Sequence, residues 1–113
     1  MINRLLFICI MLMPMASIAQ KSKVEEVKIH TSAECSECKN RIEHALLYSK
    51  GVKFAHQDID TQILTVSYNT SKTSLDKIMH TITEAGYDAD SLKANKEAFD
   101  KLPDCCKKDG HKE

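Results

Sequence analysis

The 113-residue chain has no tryptophan, and only one of its two prolines, Pro103, lies beyond the first twenty residues. It has no excess of charge either, with 16 Lys and Arg against 16 Asp and Glu. Basic residues interleaved with aromatics, the footprint of a nucleic-acid binder, are missing, so no nucleic-acid partner is expected. The unbroken apolar run at residues 5–13 (LLFICIMLM) is well short of the roughly 20 residues that span a bilayer. It reads instead as the core of a secretory signal peptide, with Arg4 as the positive leader and Ser17-Ile18-Ala19 as a small-residue cleavage site. Cleavage after Ala19 of the 113-residue chain leaves 94 residues and discards Cys9. The mature protein is then periplasmic or secreted, with no stable membrane insertion.

Ninety-odd residues support one small domain. Four cysteines remain in it, Cys35, Cys38, Cys105 and Cys106. An even count in an exported protein normally suggests disulfides. These four, however, fall into two tight pairs, and neighbours such as Cys105 and Cys106 bridge each other only with strain. The first pair forms C-x-x-C within TSAECSECKNRIEHAL (31–46). That spacing alone serves a redox switch, a staple or a metal clip equally well.

The rest of the chain supplies the context. VEEVKIH (24–30) alternates as a half-buried strand, and Ile42, Ala45 and Leu46 fall at helical spacing between Glu37 and Tyr48, with Gly51 as a stop. Segments 52–59 and 63–68 are rich in β-branched and aromatic residues; the second alternates cleanly, and the irregular first suits a bulge. The short joint Asp60-Thr61-Gln62 predicts a hairpin. Residues 73–86 predict a second helix, capped by Thr73 or Ser74, with Leu75, Ile78, Met79 and Ile82 buried and Gly86 as its stop. Residues 87–92 are predicted to return as a fourth strand. The order β-α-β-β-α-β is the ferredoxin-like α+β pattern, a four-stranded antiparallel sheet with two helices on one face. A short polar helix over 95–102, ended by Pro103, and a charged tail complete the chain; the tail has no apolar periodicity and is expected to stay mobile.

In this frame Cys35 lies in the loop after the first strand and Cys38 at the start of the first helix. Unpaired backbone N–H groups and the positive end of the helix dipole favour thiolates there, the form that binds soft metals. Cu(I) and Hg(II) are satisfied by two thiolates, whereas Zn²⁺ wants about four ligands. A dithiol oxidoreductase using the same cysteines is the alternative of another class. It usually carries W-C-G-P-C and a proline beside the site, both missing here. A Cys35–Cys38 disulfide in an oxidising compartment competes with the metal-bound state.

Residues 24–90 resemble a heavy-metal-associated domain, the family of copper chaperones, amino-terminal domains of metal-pumping ATPases and periplasmic mercury-binding proteins. The resemblance rests on C-S-E-C-K-N-R-I-E-H-A-L, G-V at 51–52, T-V-S-Y at 65–68 and E-A-G-Y at 84–87. It implies Cys35 and Cys38 as ligands of one soft ion, Cu(I) first, with Tyr87 packed beside them. It also implies a non-catalytic metallochaperone or scavenger that hands its ion to a metal-transporting membrane protein or another carrier, acting as a monomer. Hg(II) and Zn(II), Cd(II) or Pb(II) are the alternative cargoes. Where the family usually reads G-M-x-C-x-x-C, with the Met anchoring the loop, this chain has Ser32 and Ala33. Glu34 stands where zinc-exporting relatives often place an acidic ligand, and Glu34 and Glu37 oppose thiolate formation by like charge.

The Cys105, Cys106 and His111 tail offers additional ligands to the first site or a second capture site. His30, His44, His56 and His80 follow no ligand spacing and read as surface histidines. The organisation expected is a signal peptide (1–19), a heavy-metal-associated domain (20–92) and a C-terminal helix and tail (93–113).

Overall fold

The computed structural model describes residues 23–107; the predicted signal peptide and His111 lie outside the described residues. The elements are β1 (Val24–His30), α1 (Ser36–Leu47), β2 (Val52–Gln57), β3 (Ile63–Asn69), α2 (Leu75–Glu84) and α3 (Lys96–Asp100), with a 3₁₀ turn at Asp104–Lys107. The sheet is antiparallel in the order β1-β3-β2. Its register sets Ile29 opposite Leu64 and Val27 opposite Val66, with Ala55 on the other side of Val66. Residues directly opposite share a face, so the period-2 alternation becomes one apolar surface. The predicted bulge is present, as a register shift between Val52 and Phe54.

Both helices bury one stripe against that surface. Cys38, Ile42 and Leu46 recur every four residues on α1, Ile78 and Ile82 do so on α2, and all join the sheet in one core cluster. Ser74 caps α2 by accepting from the Lys77 N–H at 3.3 Å. This is the ferredoxin-like α+β fold. Among the described residues, no helix is long and apolar enough to cross a membrane.

Four expectations need correction. The strand predicted over 87–92 is reduced to isolated bridges, Thr31 with Ala89 and Ala89 with Leu92. Asp90, at a φ of 50°, turns the chain back on itself, and its backbone N–H and carboxylate both bond His30, so no ladder extends along β1. β2 ends at Gln57 because the Asp58 carboxylate accepts from the N–H groups of Asp60 and Thr61, closing a turn over 58–62. Leu75, the first residue of α2, is exposed, and Met79 is only half-buried. The last helix is the short Lys96–Asp100, and the tail beyond it is folded as far as Lys107, with Leu102 and Cys106 buried.

Gly86 explains how that extension docks. It has a φ of +104°, which side-chain-bearing residues rarely adopt, and a Cβ there would meet the Ala98 backbone and Leu102 Cδ1, each at 3.1 Å. The extension therefore lies directly on the turn that ends α2. The Asn95 N–H bonds the Thr83 carbonyl at 2.9 Å and the Ala94 N–H bonds the Asp88 carboxylate at 2.8 Å, holding it there.

Candidate metal centre

The loop that carries Cys35 is tied down by polar contacts. Thr31 donates its hydroxyl proton to Gln57 Oε1 at 2.8 Å and accepts from the Ala33 N–H at 3.3 Å. The Ser32 hydroxyl accepts from the Asp88 N–H at 2.9 Å. Gln57 is fully buried, and its own N–H donates to Glu43, which also takes the Lys39 ammonium at 2.8 Å. Burial alone would raise the Glu43 carboxyl's pKa, but the Lys39 charge and the Gln57 N–H outweigh it and lower it. Ala33 is completely buried. Hydrogen bonds to β2 and to the loop after α2 thus hold this loop in place. Thr31 and Gln57 carry no signal in the sequence and Ser32 stands out there only as a departure from the family pattern, because the bonds of such polar residues show only once a neighbour 26 or 56 residues away is known.

Cys35 caps α1, its sulfur accepting from the Cys38 N–H at 3.4 Å. Cys38 occupies the buried face of α1. The two sulfurs are 2.9 Å apart, far outside the bond length of a disulfide, and all four cysteines are free. The 3₁₀ turn then brings both tail cysteines to the same place. Cys105 Sγ lies 3.3 Å and Cys106 Sγ 3.6 Å from Cys35 Sγ, and the tail sulfurs are 3.9 Å apart. Cys35, Cys105 and Cys106 form a group of ligand atoms all within 4.8 Å of one another. Tyr87 is fully buried beside them and donates its hydroxyl to Cys106 Sγ at 3.4 Å. Glu34 and Glu37 are exposed, Glu37 pairing with Arg41. His30, His44, His56 and His80 are all exposed, as their sequence positions suggested.

Partial burial pushes the Cys35 thiol up, yet the Cys38 thiol and N–H, with Cys105 and Cys106, bring it down from 9.0 to about 7. Cys105 is raised, chiefly by its hydrogen bond with Cys35. Cys106 is raised by burial first, and burial likewise raises Tyr87, which stays a neutral donor. Cys35 therefore ionises ahead of Cys105 and Cys106. In the apo protein under reducing conditions, alkylation of Cys35 by iodoacetamide rises with a midpoint near pH 7, ahead of Cys105 and Cys106, as peptide mass mapping can show. A depressed pKa adds stability that is complete above the unfolded value of 9.0 and fades as pH falls through about 7. The apo protein accordingly loses thermal stability as pH falls from about 8 to 6 through Cys35, and loses it again as pH rises through 9.0, where the raised Cys105 and Cys106 thiols ionise more readily in the unfolded chain.

The model of the heavy-metal-associated domain family matches residues 32–88. A copper-exporting P-type ATPase of Staphylococcus saprophyticus is 42% identical over 59 residues, 52% of this chain but 7% of the ATPase. The chain thus spans only a small fraction of such pumps. The copper chaperone CopZ of Staphylococcus epidermidis is 37% identical over 54 residues, covering 48% of this chain and 79% of the chaperone. Among solved structures, a CopZ metallochaperone superposes with a TM-score of 0.56 at 26% identity, over 57% of this chain and 98% of its own. Oxidised MerP from Ralstonia metallidurans CH34 shares the fold, with a TM-score of 0.56 at 24% identity over 59% of this chain and 94% of its own.

Proposed function

The chain belongs to the heavy-metal-associated domain family, and from that premise we propose that it is an exported carrier of one soft metal ion, Cu(I) first. Cys35 and Cys38 hold the ion and pass it on by thiolate exchange, without catalytic turnover. The observation that carries this reading is the unbridged thiol pair, 2.9 Å apart at the N-terminus of α1, with Cys35 the most acidic of the thiols whose acidity is shifted. Soft thiolates select Cu(I) over the hard divalent cations, and low coordination leaves room for an incoming sulfur before either ligand leaves. The relatives named for copper, a chaperone and exporting ATPases, favour Cu(I) over Hg(II) and Zn(II). They also favour a metal-transporting membrane protein as recipient. Export to the periplasm or the medium rests on Arg4, the apolar run 5–13 and the small residues before Gln20.

Native mass spectrometry of protein purified under reducing conditions and offered Cu(I), Hg(II) and Zn(II) in turn tests this reading. One Cu(I) per chain, retained when Zn(II) is washed away, is the expected result. Loss of every metal, together with turnover in an insulin-reduction assay, would replace the carrier with a thiol–disulfide oxidoreductase.

A further inference from the structure

The extension reaches the site on anchors of its own. Leu102 is buried against Gly86, Phe99 packs against the core, and Asn95 and Ala94 are bonded to Thr83 and Asp88. The path beyond Leu102 is then set locally. Pro103 cannot continue a helix, and the Cys106 N–H returns to the Pro103 carbonyl at 2.9 Å, closing the 3₁₀ turn. That turn lays both tail sulfurs on one side of Cys35. Packing alone accounts for one of them, since a buried cysteine serves as a small apolar side chain and Cys106 fills such a place. Cys105 is only partly buried against that core, and its sulfur sits 3.3 Å from Cys35.

The spacing suits an ion. With metal–sulfur bonds of about 2.3 Å, sulfurs around a three-coordinate ion stand about 4.0 Å apart, and around a four-coordinate ion about 3.8 Å. The Cys35, Cys105, Cys106 triangle has edges of 3.3, 3.6 and 3.9 Å, so modest outward shifts admit the ion.

Building on the carrier reading, we propose that Cys105 and Cys106 complete the metal site, giving the ion at least three thiolates drawn from both ends of the domain. Cys35 is common to the pair with Cys38 and to the triad with the tail. A cysteine of a receiving partner would then have to displace the tail sulfurs as well as the α1 pair before the ion leaves. The tail is therefore an intramolecular version of the incoming ligand, and it shifts the protein toward retention.

The test combines Cu(I) X-ray absorption, which counts sulfur neighbours, with competition against a chromophoric Cu(I) chelator. It uses the full mature chain, C105S and C105S/C106S. C105S leaves the buried Cys106 in place, and apo thermal melts establish that each variant is folded. Wild type is expected to show three or more sulfurs. The double variant should show two, with affinity lower on the order of a hundredfold, the scale of gain from tethered ligands. C105S should lie between. Two sulfurs in wild type, or equal affinity in wild type and C105S/C106S, would overturn the proposal and leave the carrier reading intact. Wild type that retains no Cu(I) at all overturns both.

Discussion

Cys35→Ser abolishes tight soft-metal binding, whereas Cys38→Ser weakens it less. The asymmetry follows from position. Cys35 Sγ lies within 3.6 Å of each of the other three sulfurs, and it is the thiol brought down to about 7. Removing it breaks the pair and the triad together, while removing Cys38 leaves Cys35, Cys105 and Cys106 in place. A serine hydroxyl is a hard ligand that stays protonated near neutral pH, so it does not replace the thiolate. The expected loss for Cys35→Ser is on the order of a thousandfold or more in Cu(I) affinity, and about tenfold to a hundredfold for Cys38→Ser. The fold should survive, because serine is a favoured N-cap and takes over the bond from the Cys38 N–H. Chelator competition and an apo melt on the same samples measure both effects. A Cys35→Ser variant within a few-fold of wild type, or a ranking in which Cys38→Ser is the more damaging, would remove Cys35 from the centre of the site.

Gly86→Ala destabilises the domain and frees the tail cysteines in one step. An alanine at φ +104° carries backbone strain, and its Cβ would sit 3.1 Å from the Ala98 backbone, which cannot yield as a flexible side chain would. The cost is about 2 kcal/mol, equivalent to a fall of roughly 8–16 °C in Tm for a domain of this size. The extension relieves the clash by lifting off, carrying Leu102 and the 104–107 turn with it. Cys105 and Cys106 then become alkylated faster in the apo protein, while the hydrogen bonds that hold the Cys35 loop are untouched. Thermal melts and peptide-resolved alkylation rates check this. An unchanged Tm with unchanged Cys106 protection would mean that the contact with Gly86 does not hold the extension in place.

The helices and the alternating strands were legible in the letters because their signal is local. Helical spacing at Ile42, Ala45 and Leu46, and two-residue spacing at Leu64, Val66 and Tyr68, require no knowledge of the partner surface. The 87–92 segment was misread as a strand because its composition suits one. What decides against it is the turn at Asp90 and the bonds from Asp90 to His30, a residue 60 positions away. Ser32 and Ala33 replace the Gly and Met of the expected pattern, and the letters do not show that Thr31, Ser32, Gln57 and Asp88 tie the loop in place.

By itself the sequence determined the β-α-β-β-α order of the first five elements and the placement of Cys35 and Cys38 at the start of a helix, since periodicity and caps are written within a few residues. Only the tertiary structure decided that Cys105 and Cys106 belong beside them. A segment without periodicity is placed by what it rests on, and here that support is the close approach at Gly86, 19 residues before Cys105 in the chain. Two thiols in a polar tail gain a role only when packing elsewhere brings them to a third.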